Sequence, residues 1–439
     1  MTDKKLNIVH LIPGTGGSFY CENCIRDGAL VKALRERGHT VTMVPLYLPL
    51  VIDEPEIAED TPIFFGAVST YLKEKLPFVQ RFPIWIEKAL NAAPVLKYAA
   101  GKAGSTRAEG LEQMTISMLK GTHGNQGAEL NNLMLWLKEQ IKPDIVYLAN
   151  ALLSGMAKSI RDELNIPVVC ALEDEDVWLS NMEPKLLAKI WDLINENAGS
   201  IDRFLPVTNY YGQRIQKFIH APAEKFTTTY VGIDLKDFDQ AQKQENPLVI
   251  GYLSRMCQEM GLDILVDAFI LLKSDPAFNS LKLHITGGKT DDDLPLLNRL
   301  KKELENADVL EDVTFAENFD RANRIKFLKG LSVLSVPARK EEAFGVFLIE
   351  ALAAGVPLVQ PATGGYPEII GMTEGGITYE PNTPQILAEN LSRVLKDKAG
   401  RKTMVQKGQE KVHQFFDGRS MSERLEKIYL SVIAGYKQD

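Results

Sequence analysis

Short apolar runs of strand length alternate along most of the chain with longer segments of helical periodicity. Apolar runs bounded by turn residues predict buried strands, and the intervening segments predict crossover helices of βαβ units. The predicted strands lie at 6–12, 40–45, 144–149, 166–172, 203–208, 248–253, 281–286, 313–316, 331–337 and 357–360. The predicted helices lie at 27–37, 210–218, 261–272, 321–329, 345–354 and 386–396, with a long helical segment at 410–433. The pattern therefore predicts an α/β protein with parallel, doubly wound sheets.

Two stretches interrupt this alternation. Residues 46–130 are too long for an ordinary connection, and they contain helical-looking pieces near 70–76, 83–98 and 108–119, which predicts a helical insertion. Residues 236–246 are polar and have the composition of a linker. We therefore predict an N-terminal domain over 1–240 and a C-terminal domain over 246–417.

The stretch 342–365 carries the clearest chemistry, with the order loop, helix, strand, glycine loop after the apolar run 331–337. Gly355 suits the left-handed residue just past a helix end, and Pro357 cannot continue the helix. The loop before the helix and the loop after the second strand leave the same edge of a parallel sheet. Open α/β sheets bind ligands at that edge, so we predict a ligand site there.

The residues of this stretch indicate what the ligand is. Phe344, Gly345 and Val346 present backbone N–H groups at a helix start, which holds phosphate or another anion. Glu342 lies in the preceding loop, and Glu350 lies on the first turns of an otherwise apolar helix, where a carboxylate can bind two ribose hydroxyls. The competing interpretation is that both glutamates are solvated surface residues.

The string E-x7-E, followed by A-L-A-A-G-V-P and G-G-Y-P-E, resembles the signature of retaining nucleotide-sugar glycosyltransferases of the GT-B fold, family four. The resemblance implies two Rossmann-like domains facing across a cleft, with the last helix, about 418–439, returning to the N-terminal domain. It implies that Glu342 lies near the transferred sugar and that Glu350 binds the ribose. It also implies a nucleotide-sugar donor substrate bound by Phe344, Gly345 and Val346, with no cofactor and no metal.

The chain departs from the family pattern at two places. The family has G-R-x4-K-G after the first strand of the second domain, whereas here Arg255 and Gly261 are present and Met260 replaces the lysine. We expect Arg255 to stabilise the leaving diphosphate and Lys289 to replace the missing cation, unless Lys289 is a solvated loop residue. A histidine often follows the strand 166–172 in the family, and Glu173 takes its place here, either orienting hydroxyl groups as a catalytic residue or facing solvent.

The first glycine loop, P-G-T-G-G-S at 13–18, follows the first strand. In the family this loop faces the cleft, so Gly16 and Gly17 are candidate donor-binding residues, although a simple tight turn is the alternative. A nicotinamide site is disfavoured because Phe19 replaces the third glycine of G-x-G-x-x-G and no acidic residue ends the second strand. The D-x-D of Asp174 and Asp176 is typical of the other glycosyltransferase fold, GT-A, which the doubly wound pattern disfavours.

A C-x2-C pair, Cys21 and Cys24, follows the glycine loop. It could be half of a zinc site, a redox pair or packing cysteines, and no second C-x-x-C or H-x3-H occurs in the sequence. The string Y-C-x-x-C-I-R-D is similar to a feature of one bacterial subgroup of the same glycosyltransferase family.

Composition limits the remaining classes. The 439 residues suffice for two domains, and a net charge of −8 disfavours a general nucleic-acid binder. Four cysteines suit a reducing cytoplasm, the first apolar run is too short for a signal peptide, and no run reaches membrane-spanning length. Residues 73–120 carry eight basic and four acidic residues, so the insertion is either a surface for anionic lipid or acceptor, or a helical layer packed on its own domain.

We therefore predict a cytoplasmic enzyme, with peripheral contact at the inner membrane face if the insertion binds lipid. It would move a sugar from a nucleotide-diphosphate sugar to a glycan, lipid or small-molecule acceptor. The alternatives are a non-catalytic nucleotide-sugar-binding protein and a sugar-nucleotide epimerase or phosphorylase on the same fold. The sequence names neither the sugar, the base nor the acceptor.

Overall fold

The chain folds into two compact units. The computed structural model describes residues 5–14, 19–47, 53, 63–65, 111–238 and 248–436. The first unit consists of Met1–Gly17, Asn23–Tyr230 and Met421–Asp439, and the second consists of Ser18–Glu22 and Val231–Ser420. The predicted boundary after residue 240 lies ten residues beyond the observed one. The predicted helical pieces near 70–76 and 83–98 lie outside the described residues.

The first unit is built on a five-stranded parallel sheet with the order β2-β1-β3-β4-β5. The strand order reverses between β1 and β3, which makes the carboxyl ends of these strands the usual ligand-binding place of such a sheet. All five strands were predicted, with ends that differ by at most two residues. They are β1 Asn7–Ile12, β2 Thr40–Pro45, β3 Ile145–Leu148, β4 Val168–Leu172 and β5 Arg203–Pro206.

Helices of the first unit connect these strands and close its core. The first begins five residues before the predicted start, and that of residues 184–198 was not predicted. The helices are α1 Glu22–Glu36, α2 Glu112–Leu119, α3 Gly127–Trp136, α4 Glu175–Leu179, α5 Pro184–Ala198 and α6 Asn209–Ile215, with mixed helical turns at 151–164.

The last helix of the chain, α14 (Gly418–Tyr436), completes the core of the first unit. Its residues Met421, Leu425 and Tyr429 are buried among side chains of β1, β2 and β3. Burying each such side chain contributes roughly 1.5–3 kcal/mol, so α14 belongs to this unit energetically as well as spatially.

The second unit is built on a six-stranded parallel sheet with the order β11-β10-β9-β6-β7-β8. This is the strand order of a dinucleotide-binding fold, and it reverses between β6 and β9. The ligand-binding place of this sheet is therefore at the carboxyl ends of β6 and β9. The strands are β6 Val249–Leu253, β7 Lys282–Thr286, β8 Val313–Phe315, β9 Val333–Leu334, β10 Leu358–Pro361 and β11 Gly376–Tyr379.

Helices of the second unit alternate with these strands. The predicted helix 321–329 is confirmed at both ends, and those at 261–272, 345–354 and 386–396 are confirmed within two residues. The helices are α7 Leu262–Lys273, α8 Leu294–Asn306, α9 Arg321–Lys329, α10 Val346–Ala353, α11 Tyr366–Thr373, α12 Pro384–Lys396 and α13 Lys398–Phe415.

The predicted helical segment at 410–433 consists of parts of two helices, because α13 ends at Phe415 and α14 begins at Gly418. Ile233 pairs with the intervening Asp417: its N–H donates to the Phe416 carbonyl over 3.0 Å, and its carbonyl accepts from the Gly418 N–H over 2.8 Å. The Phe416 carbonyl and the Gly418 N–H are therefore hydrogen-bonded to Ile233 and not to a continuing helix, and the helix is interrupted between α13 and α14.

Gly261 gives a test of the fold at the start of α7. It has φ +71°, and a Cβ atom there would lie 1.9 Å from the Pro337 carbonyl oxygen, which the backbone fixes. We expect Gly261→Ala to lower the free energy of unfolding by about 2–4 kcal/mol, measured by urea denaturation.

Gly371 in α11 is the matched control, because a Cβ atom there has nothing within 4 Å. Gly371→Ala should raise stability by about 0.5–1 kcal/mol, since alanine has the better helix propensity. Equal effects of the two substitutions would contradict the steric account of Gly261.

Candidate functional site

Two loops meet at the carboxyl ends of β9 and β10, as the sequence predicts. Leu358 pairs with Leu334 in parallel, and the Gly365 N–H donates to the Glu342 carbonyl over 2.8 Å. Gly364 has φ +59°, and a Cβ atom there would lie 2.3 Å from the same carbonyl oxygen. The glycine loop therefore lies directly against the Glu342 loop, and glycine at position 364 is what permits the approach.

Helix α10 starts in this loop and is buried at all its positions. Gly345 precedes it with φ +88°, and Phe344 is buried with its ring 5.8 Å from that of Phe416. Phe344 is thus an apolar anchor, whereas its neighbours supply the backbone of the helix start. Glu342, in contrast, is only half-buried.

Glu350 is buried, with only 1% of its surface exposed. Its Oε1 accepts hydrogen bonds from Arg324 Nη2 at 2.9 Å and Nε at 3.2 Å, and its Oε2 accepts from the Tyr20 hydroxyl at 2.8 Å. Burial beside Glu350 raises the pKa of Tyr20 well above its usual range, so the hydroxyl keeps its proton and donates. The interpretation of Glu350 as a solvated surface residue is therefore wrong.

The start of α10 binds an anionic group, and that group belongs to the protein. The Val346 N–H donates to the Glu22 carboxylate over 2.5 Å. The positive end of the helix dipole favours a carboxylate at this position. The predicted anion site therefore holds a side chain of the short stretch Ser18–Glu22, which packs with the second unit.

Arg255 lies beyond the end of β6, next to the glycine pair after β7. The Met256 N–H donates to the Gly288 carbonyl over 2.9 Å, which joins the two loops. The Arg255 guanidinium binds both carboxylate oxygens of Asp293, at 2.9 and 3.0 Å, and the Thr290 hydroxyl at 2.9 Å. Arg255 is therefore oriented by an acidic partner that sequence reasoning did not identify.

The cationic side chains near the carboxyl edge of the second sheet differ in how firmly acidic residues hold them. Lys289 is 41% exposed and lies 3.4 Å from the exposed carboxylate of Glu317, which is a weak ion pair. Met260 is half-buried. Arg339, which the sequence analysis did not single out, binds Asp263 through both oxygens at 2.6 and 2.9 Å and so ties the loop after β9 to α7.

Glu173 directly follows β4 of the first unit and is buried, so the interpretation of it as a solvent-facing residue is wrong. Its Oε2 accepts from Arg26 Nη1 at 2.5 Å, and Arg26 Nε also binds Asp27 at 2.9 Å. Burial, together with the charges of Asp27 and Glu175, raises the pKa of Glu173 to about 7 against the opposing effect of Arg26.

The neighbouring acidic residues have structural partners. Glu175 accepts from the Ala151 N–H at 3.0 Å and from the Tyr211 hydroxyl at 2.7 Å, and Asp176 binds Arg214 Nε at 2.5 Å. In the described parts of the chain, no group of three His, Cys, Asp or Glu residues is placed to hold a metal ion. Asp176 of the D-x-D string is thus part of this network of hydrogen bonds and ion pairs.

Cys21 and Cys24 are disulfide-bonded, whereas Cys170 and Cys257 are buried free thiols. A zinc half-site would need two free thiolates at 21 and 24, so the disulfide leaves that hypothesis without its ligands.

The structure gathers most of the predicted donor residues on the second unit, at the carboxyl edge of its sheet. These are Arg255, Lys289, Glu342, Phe344, Gly345, Val346 and Glu350. Glu173 belongs to the first unit. Gly16 and Gly17 lie outside the described residues, and the contact of each predicted residue with a donor stays a prediction.

Solved structures with the same fold cover nearly the whole chain. Sucrose-phosphate synthase of Thermosynechococcus elongatus superposes with a TM-score of 0.71 at 16% identity, covering 98% of this chain and 99% of its own. An Anabaena protein crystallised with UDP and glucose superposes with a TM-score of 0.64 at 15% identity, covering 97% and 100%. The chain has the GT-B fold. The predicted fold class, two Rossmann-like α/β domains, is therefore confirmed.

The sequence comparison that has residue bounds matches the second unit. Residues 234–411 match the family model "Glycosyl transferases group 1". A putative colanic acid biosynthesis glycosyltransferase of Escherichia coli strain K12 is 25% identical over 236 residues. That match covers 52% of this chain and 56% of the relative, so the chain spans a little over half of that relative's length.

Besides Asp293 and Arg339, three residues that contact α10 were missed from sequence. Arg324 lies 26 positions before Glu350, and Tyr20 and Glu22 lie more than 320 positions before their partners. A signal existed only for Arg324, because a buried carboxylate on an apolar helix requires a cation nearby. Nothing local indicated that residues 19–22 would pack with the second unit.

The raised pKa of Glu173 gives a pH-dependent test. Between its ordinary value of 4.5 and about 7, the folded protein keeps a proton that the unfolded chain has lost. Stability from this group therefore falls as pH rises through that window. Glutamine at position 173 cannot titrate. We therefore expect the free energy of unfolding of Glu173→Gln, measured by urea denaturation at pH 5, 6, 7 and 8, to lack this decrease.

The exposed Glu196 in α5 is the matched control, and Glu196→Gln should keep the wild-type pH dependence. Parallel curves for the wild type and Glu173→Gln would show that Glu173 stays ionised beside Arg26 over the whole range.

Proposed function

We propose that this protein is a glycosyltransferase that moves a sugar from a nucleotide-diphosphate sugar to an acceptor. The observation that carries the proposal is the group at the carboxyl edge of the second sheet. A buried carboxylate lies on a helix whose start binds the carboxylate of Glu22, and an oriented arginine follows strand β6. These groups match a ribose and a diphosphate, and the family match over 234–411 covers most of them.

The chemistry follows from charge development. Breaking the sugar–phosphate bond leaves negative charge on the diphosphate, which Arg255, Lys289 and the start of α10 would stabilise. The transferred sugar becomes oxocarbenium-like, and the Glu342 carboxylate would lie beside it. A retaining reaction without an obligatory metal is the form we propose, in keeping with the E-x7-E resemblance and with cationic side chains for the leaving group.

The setting of the reaction is part of the same proposal. We propose a nucleotide sugar as donor, a glycan, lipid or small molecule as acceptor, and a cytoplasmic location with the basic 73–120 stretch available to a membrane face. Within the described residues, no helix is long and apolar enough to cross a membrane. Glu173, with Arg26, is proposed to orient a substrate hydroxyl.

A specific observation favours a second candidate, a non-catalytic nucleotide-sugar-binding protein. Met260 replaces the family lysine, and Lys289 is exposed beside Glu317 rather than held in place. A thermal-shift screen against nucleotide sugars tests binding, since a ligand at 100 times its Kd stabilises the fold by about 2.7 kcal/mol. Release of the nucleotide diphosphate from the donor that binds then separates the transferase from the binding protein.

Arg255 tests the leaving-group role. We expect Arg255→Ala to lower turnover about 100-fold or more, because removing one group that stabilises developing charge costs about 2.7–4 kcal/mol. Arg255→Lys keeps the charge but loses the bidentate hydrogen bonding to Asp293. Its turnover should therefore lie between those of the wild type and Arg255→Ala. Nucleotide release under saturating donor is the measurement.

Arg299→Ala is the control, because Arg299 is an exposed cation on α8 that pairs with Glu303. It should leave turnover at the wild-type rate. Wild-type turnover in both Arg255 variants would remove Arg255 from the mechanism.

The lysine substitution gives a second test of the same region. If Lys289 replaces the missing cation, Lys289→Ala should weaken donor binding about tenfold, and Met260→Lys added to it should recover part of the loss. Salt should reduce both effects because the groups are partly exposed. Affinity at two salt concentrations is the measurement, and an unchanged affinity in Lys289→Ala would contradict the compensation.

A further inference from the structure

The stretch Phe19–Glu22 follows the line along which the proposed donor would lie. At one end, the Tyr20 N–H donates to the Gly287 carbonyl over 2.8 Å, and the Phe19 ring lies 5.8 Å from the Arg255 guanidinium. At the other end, the Tyr20 hydroxyl and the Glu22 carboxylate reach α10. Three residues of this four-residue stretch thus contact Arg255, Glu350 and the start of α10, which are most of the groups assigned above to the diphosphate and the ribose.

The contacts reproduce the chemistry of a nucleotide. The Tyr20 hydroxyl donates to Glu350 Oε2 at 2.8 Å, as a ribose hydroxyl would. The Glu22 carboxylate accepts from the Val346 N–H at 2.5 Å, as a phosphate oxygen would. A hydroxyl donor and an anion are therefore supplied by the protein at the two places where a nucleotide would supply them.

The two oxygens of Glu350 have different partners, so loss of Tyr20 would free one oxygen while Arg324 still holds the other. Arg324 holds Oε1 through two nitrogen atoms and is itself buried, so it fixes the carboxylate whether or not Tyr20 is present. Oε2 is bound by Tyr20, whose side chain covers a carboxylate that is only 1% exposed. Departure of Tyr20 would therefore expose a correctly oriented acceptor.

We propose that Phe19–Glu22 is an autoinhibitory segment that occupies the donor site as an internal competitor of the nucleotide. The inference rests on the proposed nucleotide-sugar function, and it adds that donor binding requires displacement of Tyr20 and Glu22. The observed affinity for a nucleotide then equals the intrinsic affinity reduced by the fraction of molecules in which the segment is displaced.

The direction of the mutational effect distinguishes a competitor from an ordinary binding residue. Removing a group that touches the nucleotide weakens binding, whereas removing a group that competes with the nucleotide tightens it. Tyr20→Phe removes the hydroxyl and keeps the ring, and Glu22→Gln removes the charge and keeps the length.

The experiment measures the Kd of UDP and of GDP by calorimetry for the wild type and both variants. We expect Tyr20→Phe and Glu22→Gln each to lower the Kd about tenfold, because Tyr20→Phe removes a hydrogen bond to a charged group and Glu22→Gln removes the charge from the acceptor of one. Tyr436→Phe on α14 and the exposed Glu389→Gln on α12 are the matched controls, and both should keep the wild-type Kd.

Hydrogen exchange supplies a readout that does not depend on affinity. The Tyr20 amide is bonded to Gly287, so it should exchange slowly in the nucleotide-free protein and faster when UDP or GDP saturates the site. Slow exchange that persists at saturation would show that the segment and the nucleotide bind together, which overturns the proposal.

The outcomes separate this inference from the proposed function. A wild type that binds UDP or GDP with a Kd that the two variants leave unchanged, or raise, overturns the autoinhibitory segment and leaves the nucleotide site standing. Absence of binding in the wild type and in both variants overturns the nucleotide site and the segment's role together.

Discussion

The ion pair that neutralises the buried carboxylate of Glu350 fixes two helices of the second unit relative to each other. Glu350 lies on a helix that is apolar around its whole circumference, and removing an unpaired charge from water costs several kcal/mol. Arg324 supplies the pairing charge from the neighbouring helix α9, with 3% of its side chain exposed. The positions of α9 and α10 are therefore tied by charge as well as by packing, and removing either partner would leave the other buried and unpaired.

Sheet topology decides which residues share a place. In each unit the strand order reverses once, between β1 and β3 in the first and between β6 and β9 in the second. The polar groups of interest lie near the carboxyl ends of strands: Glu173 after β4, Arg255 after β6, and Glu342 after β9. Each parallel sheet collects loops at its own carboxyl edge, which is why Arg255 and Glu342, far apart in sequence, both lie at the edge of the second sheet.

Elements that are buried and formed by local residues could be predicted from the sequence. Exposed elements, and those that depend on contacts between residues far apart in the chain, could not. Strands β1, β2 and β6 were predicted because continuous apolar runs mark strands buried on both faces. Strand β11 was missed because Gly376–Tyr379 is half-exposed at a sheet edge and lacks such a run. The local pattern did not show the interruption between α13 and α14, since its partner Ile233 lies more than 180 residues earlier, and only the family resemblance placed the start of the last helix near 418.

The same limit applied to the candidate site. The E-x7-E string placed Glu342 and Glu350 correctly on a loop and a helix, because both belong to one local strand–loop–helix unit. The partners of Glu350 come from other elements, 26 and 330 positions away, and no local pattern encodes such pairs. Arg255 was predicted as a cation, but its partner Asp293 was not, for the same reason.

The position of α14 has a consequence for the order in which the protein folds during synthesis. The first unit's sheet is made by residue 206, but Met421, Leu425 and Tyr429, which cover part of it, are made after the whole second unit. A ribosome extends a chain by about 5–20 residues per second, so roughly 10–40 seconds separate the two events. During that interval an apolar face of the first sheet is not yet packed against α14. The second unit, in contrast, has all of its residues as soon as residue 420 is synthesised. The first unit is therefore the part whose core is completed last, although most of it is synthesised first.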